Sequence, residues 1–126
     1  MSDANRAFLL SRRGIAPADA LYVIFIGGND IRDARDEADK KFAKAIIREA
    51  VEGAAGAVRA LASAGAECIL VANAPDIGAI PETRALGDRK FVKRATNLMK
   101  SFNKKLAKAV RKVERDFDLE IFGIRH

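Results

Sequence analysis

Ala20-Leu21-Tyr22-Val23-Ile24-Phe25-Ile26-Gly27-Gly28-Asn29-Asp30 decides the fold. From Leu21 to Ile26 the run is unbroken in β-branched, aromatic and other apolar side chains, and two glycines close it. That is the pattern of a strand buried on both faces of a parallel sheet. A second such run, Cys68-Ile69-Leu70-Val71-Ala72, ends at Asn73 and Pro75, and Leu119 to Ile124 makes a weaker third. Between the first two, Phe42, Ile46, Ala50, Ala54, Ala57, Val58 and Leu61 form one helical apolar stripe, with Gly65 as its C-terminal stop. Gly53 and Gly56 inside it mark either a close approach of helix to sheet or weak spots of about 1 kcal/mol each.

Between the second and third runs, Phe91, Ala95, Leu98, Phe102, Leu106, Ala109, Val113 and Phe117 repeat the spacing. Lys90, Arg94, Lys104, Lys108, Lys112 and Arg115 fall on the opposite side. Strand, helix, strand, helix, strand predicts an α/β chain, a βαβαβ unit with right-handed crossovers and a parallel sheet. Upstream, Ser2 or Asp3 caps a short helix from Ala4 to Arg13 that Gly14 stops, and Pro17 lies in a linker.

The 126 residues suffice for one domain, and 49% apolar with 32% charged residues predicts a folded chain. The single cysteine, Cys68, leaves no internal disulfide and reads as core packing. One histidine, His126, leaves little for a His/Cys zinc site, and no cofactor or metal is expected. No apolar run approaches a transmembrane length, and no charged-then-apolar leader opens the sequence, so no compartment is read from it.

The net charge of +6 is local. Arg89 to Arg115 holds eleven Lys and Arg against Glu114, or +10, which leaves the remainder at −4. That segment could meet nucleic acid or anionic lipid through its phosphates. For nucleic acid the sequence argues against it, because Phe91, Phe102 and Phe117 lie on the apolar stripe and are not interleaved with the charges. The acidic stretch Asp30, Asp33, Asp36, Glu37 and Asp39 lacks EF-hand spacing and reads as favouring the start of the next helix.

In parallel sheets, sites form at the carboxyl ends of strands, here the loops Gly27 to Ala34 and Asn73 to Thr83. In the first, Asn29 presents a carboxamide after two glycines that permit positive φ, a candidate oxyanion donor as well as an ordinary turn residue. The second reads Asn73-Ala74-Pro75-Asp76-Ile77-Gly78-Ala79-Ile80-Pro81-Glu82.

Taken together, the two loops closely resemble the middle of the GDSL lipases and esterases, the SGNH hydrolases. There a strand ending in Gly-x-Asn-Asp precedes a long helix and then a strand leading into Asn-x-Pro-Asp-x-Gly-x-x-Pro. The resemblance runs from about Phe8 onward. It implies a three-layer flavodoxin-like fold, incomplete in these residues, with 1–126 forming a single partial domain that carries the third to fifth strands. It also implies ester hydrolysis by a serine in Gly-Asp-Ser-Leu, with aspartate and histidine in Asp-x-x-His. The oxyanion hole there combines two backbone N–H groups with the asparagine of Gly-x-Asn-Asp. Asn29 takes that place and Gly27 that of the motif glycine, while Gly28, Asp30, Pro75 and Asp76 would border substrate. Thr83 and Arg84 are further substrate-facing candidates.

The departures from the family pattern are as definite. Ser2, Ser11, Ser63 and Ser101 lie in helices, outside any Gly-Asp-Ser context, and His126 follows Gly123 where an aspartate would stand. An inactive portion of an ester hydrolase is therefore expected, acting on a small-molecule or lipid ester only if completed. The alternatives are an assembly module, pairing with a second copy or a complementing chain along Leu21 to Ile26, and an anion-binding surface along 89–115.

Overall fold

The computed structural model describes residues 20–25 and 27–124. Their order is β1 (Leu21–Ile24), α1 (Gly28–Asp36), α2 (Lys40–Ser63), β2 (Cys68–Ala72), α3 (Pro81–Leu86), α4 (Arg89–Phe117) and β3 (Ile121–Ile124). The upstream helix expected from Ala4 to Arg13, with Ser2, Asp3 and Ser11, lies outside the described residues, as do Ile26 and His126.

The three strands form a parallel sheet in the order β1-β2-β3, with Val23 beside Leu70 and Leu70 beside Phe122. This is the expected βαβαβ unit. Because each strand lies next to its predecessor in one direction, right-handed crossovers put α2 and α4 on one face, where they pack together and cover Ile24, Ile69 and Val71. The expectation that the first strand is buried on both faces fails for this reason. Leu21 is 61% exposed, Val23 55% and Phe122 49%, all on the uncovered side. The described residues thus supply two layers of an incomplete three-layer flavodoxin-like fold.

Local chemistry sets the boundaries. Asp39 caps α2 by accepting from the Lys41 N–H at 2.8 Å. At its other end Ala66 donates to Leu61 and Gly65 to Ala62, with Gly65 at φ 105°, a Schellman closure that only a residue tolerant of left-handed backbone makes cheaply. Asp88 caps α4 through the Phe91 N–H at 3.0 Å. Pro81 opens α3, where its missing N–H costs nothing.

The stripe of α2 is displaced by one residue in its first half. Ala43, Ile47 and Val51 are buried, whereas Ile46 and Ala50 are half-buried and Phe42 is 62% exposed. A Cβ on Gly53 would meet nothing within 4 Å, so close helix–sheet approach does not explain that glycine. Cys68 is half-buried, on the less covered face. Arg94 leaves the solvated side assigned to it: half-buried, it donates to the carbonyls of Ala34 and Glu37, holding the end of α1 against α4. No described helix is long and apolar enough to cross a membrane.

Candidate functional site

Residues 27–34, expected as a loop, are mostly helix. Ile31 and Ala34 are fully buried, and their spacing gives α1 an apolar side to anchor against α2 and α4. The helix starts at Gly27, whose φ of 120° lies in the left-handed half of the map, and a Cβ there would stand 2.5 Å from Phe102 Cζ. Both facts demand glycine. Gly28, by contrast, is helical, has no positive φ, and would meet nothing within 4 Å if substituted by alanine. The expectation that both glycines supply unusual backbone holds for Gly27 alone.

Asn29 therefore occupies the first turn of α1, not a strand tip. It is exposed and makes no side-chain hydrogen bond with the other described residues. No side chain caps α1, so its first N–H groups, which have no carbonyl one turn back, border the same space as the carboxamide. That space is a hollow of about 340 Å³ lined by Phe25, Gly27, Gly28, Asn29, Asp30, Ala74 and Pro75. Of the eight site candidates, the structure brings Gly27, Gly28, Asn29, Asp30 and Pro75 together here. Burial, reinforced by Asp33 and opposed by a hydrogen bond from its own backbone, pushes the Asp30 carboxyl above its usual range.

Asp76 does not line the hollow. Its Oδ1 accepts from the Gly78 N–H at 2.9 Å and from the Thr96 hydroxyl at 2.8 Å, which fastens the second loop to α4. Gly78 has to be glycine there, since a Cβ would fall 2.0 Å from Thr96 Oγ1. The loop is held again at Ala74, whose N–H donates to Asn103 Oδ1 at 2.9 Å and whose carbonyl accepts from Asn103 Nδ2 at 3.2 Å. Asn103 escaped sequence reading, although an amide next to Phe102 of the apolar stripe was a usable signal.

Thr83 is also misplaced by the sequence reading: it is fully buried and accepts from Arg35 Nη1 at 2.7 Å, so it faces no substrate. Arg84 stays exposed on α3. Arg35, 2% exposed, was missed, although it lies four residues after Ile31 on the buried side of α1. Its guanidinium also binds Asp36 and, at 2.8 Å, Glu82, and lies 5.6 Å from the Phe91 ring centre. The hydrogen bond with Asp36, the larger of the two, and that with Glu82 keep it protonated, while Asp36 is held below the ordinary carboxylate range. Of the acidic stretch, only Asp39 caps the following helix. Among the described residues no group of His, Cys, Asp and Glu is placed to hold a metal ion.

Ser63 and Ser101, the serines within the described residues, do not line the hollow. Its donors are thus a carboxamide and a helix start, which fits it to a carbonyl oxygen gaining negative charge. The profile of the GDSL-like lipase/acylhydrolase family matches residues 3–125. The chain belongs to that family. The chain is also similar to Lipase 1 of Photorhabdus luminescens, 38% identical over 81 residues, a stretch that takes in 64% of this chain and 12% of the relative. The chain therefore spans about an eighth of that lipase's length.

Proposed function

We propose that these residues form the central, anion-stabilising part of a serine ester hydrolase, with Asn29 donating from Nδ2 to the acyl oxygen of the substrate. When a serine oxygen, losing its proton to the histidine base, attacks the ester carbon, the carbonyl π electrons move onto the carbonyl oxygen. A neutral amide already in place, next to the open start of α1, stabilises the resulting anion without reorganising. Gly27 sets the backbone that starts α1, and Gly28 and Pro75 leave room for the acyl group. The single observation carrying this reading is the exposed Asn29 carboxamide lining the hollow, which makes no side-chain hydrogen bond with another described residue.

The serine and the Asp-x-x-His pair are not among residues 1–126, so on this reading the chain by itself hydrolyses esters poorly. The test uses p-nitrophenyl butyrate. The chain alone turns it over no faster than buffer. Joined to a polypeptide carrying the family's Gly-Asp-Ser and Asp-x-x-His, it gains activity that Asn29→Ala lowers by about 100- to 1000-fold in kcat. Hydrolysis that survives Asn29→Ala overturns the assignment.

One observation favours an assembly role alongside this one. In the described residues β1 ends the sheet and carries exposed Leu21 and Val23, which supports pairing with a second copy or a complementing chain.

A further inference from the structure

Away from the hollow, the N-terminal halves of α2 and α4 enclose a groove of about 680 Å³. Lys40 and Lys44 rim it from α2, Lys90 and Lys93 from α4, and half-buried Leu98 contributes apolar surface beside the methylene stems of the lysines. No acidic side chain and no aromatic ring lines it. None of the four lysines forms an ion pair with a described residue. The basic surface continues beyond the groove: Lys93, Lys100, Lys104, Lys108, Arg111 and Arg115 are all exposed and fall within one stripe of α4. That stripe is about 33 Å long at 1.5 Å per residue.

We propose that this face docks on a bilayer containing anionic phospholipid, with the groove as its anchoring point. The ammonium groups meet lipid phosphates, and the apolar lining accepts the glycerol and upper acyl carbons of one lipid. Charge complementarity selects an anionic partner, because the lysines stand together with no neutralising carboxylate in the groove. The lining separates a bilayer from a nucleic acid. A strand of nucleic acid would use the charges but leave the apolar surface unfilled, and the groove offers no aromatic face on which a base could stack. Crossover helices run opposite to the strands they connect, so α2 and α4 begin at the end of the sheet where Asn29 lies. Docking there would bring the hollow to a source of esters, although the binding itself does not depend on the hydrolase reading.

The test is co-sedimentation of the 126-residue chain with vesicles of phosphatidylcholine, alone or with about 30% phosphatidylglycerol, at about 0.1 M salt. Binding is expected to the anionic vesicles only and to weaken as salt rises. The double substitution Lys90→Gln/Lys93→Gln should lower the partition coefficient roughly 10- to 30-fold with an unchanged circular dichroism spectrum. Equal binding to neutral vesicles, indifference to the double substitution, or capture of duplex DNA without vesicle binding would each overturn the proposal. No ester is hydrolysed in this measurement, so its failure is distinct from a failure of the Asn29 assignment.

Discussion

Inside the protein the Arg35 guanidinium donates to the Thr83 hydroxyl across 2.7 Å, joining the helix that carries Asn29 to the helix after the second loop. The contact spans 48 residues of sequence and lies where water does not compete. A buried charge without partners is expensive, so the same geometry that positions the two loops makes them depend on each other.

Replacing Thr83 by valine preserves shape but strips Arg35 Nη1 of its acceptor, and should lower unfolding free energy by about 1 to 3 kcal/mol. Arg35→Met removes the charge together with its partners' reason to be there. The bonds to Asp36 and Glu82 reach half-exposed carboxylates and count for less. Urea titration of both variants checks the pair, and a Thr83→Val protein as stable as the parent would contradict it.

The two glycines of the motif should respond oppositely. Gly27→Ala forces a Cβ to 2.5 Å from the Phe102 ring at φ 120° and should cost about 2 to 4 kcal/mol. Gly28→Ala meets nothing within 4 Å and should leave stability equal or higher. Thermal melts of the two variants, side by side, decide this.

Asn103→Leu should free the Ala74 N–H and carbonyl together, lowering stability by about 1 to 3 kcal/mol. The specific signature is hydrogen exchange: the Ala74 amide should lose protection while the amides in the middle of α2 keep theirs. Uniform loss across both would mean that the asparagine acts on the whole fold.

Acid titration should separate two aspartates. Asp30 is raised in the fold by burial, so its ionised form is the costly one, and the fold loses stability as pH climbs past the ordinary 3.8 toward the raised value. Asp30→Asn should therefore be more stable than the parent at neutral pH, with the gain vanishing in acid below 3.8. Asp36 is depressed by Arg35. Its contribution is present above 3.8 and disappears as pH falls through the lower folded value, so Asp36→Asn should be less stable at neutral pH and equal in strong acid. Denaturation midpoints across this range provide the check.

Val23→Lys should reduce self-association of the isolated chain, because it places a charge on the uncovered sheet face beside the β1 edge. Sedimentation velocity measures it. A parent chain that stays monomeric at high concentration removes the premise.

The strands were legible because period and composition carry them: Cys68 to Ala72 appears with the boundaries expected, and the βαβαβ order and its parallel sheet follow from the alternation of runs. The helix over Gly28–Asp36 was not, because its nine residues are rich in Asp and Arg and bury little beyond Ile31, Ala34 and Arg35. Propensity alone does not form so short a helix; packing against α2 and α4 does.

The sequence by itself determined the class of fold, the family and the position of Asn29 after the first strand, since each rests on residue types at fixed spacing along the chain. Tertiary structure alone decided that Gly27 and not Gly28 is sterically required, that Asp76 and Thr83 hold the framework while Pro75 borders the hollow, and that Arg35 and Asn103 fasten the loops. These are contacts between residues about 20 to 75 positions apart, and a contact of that separation exists only once the chain has packed.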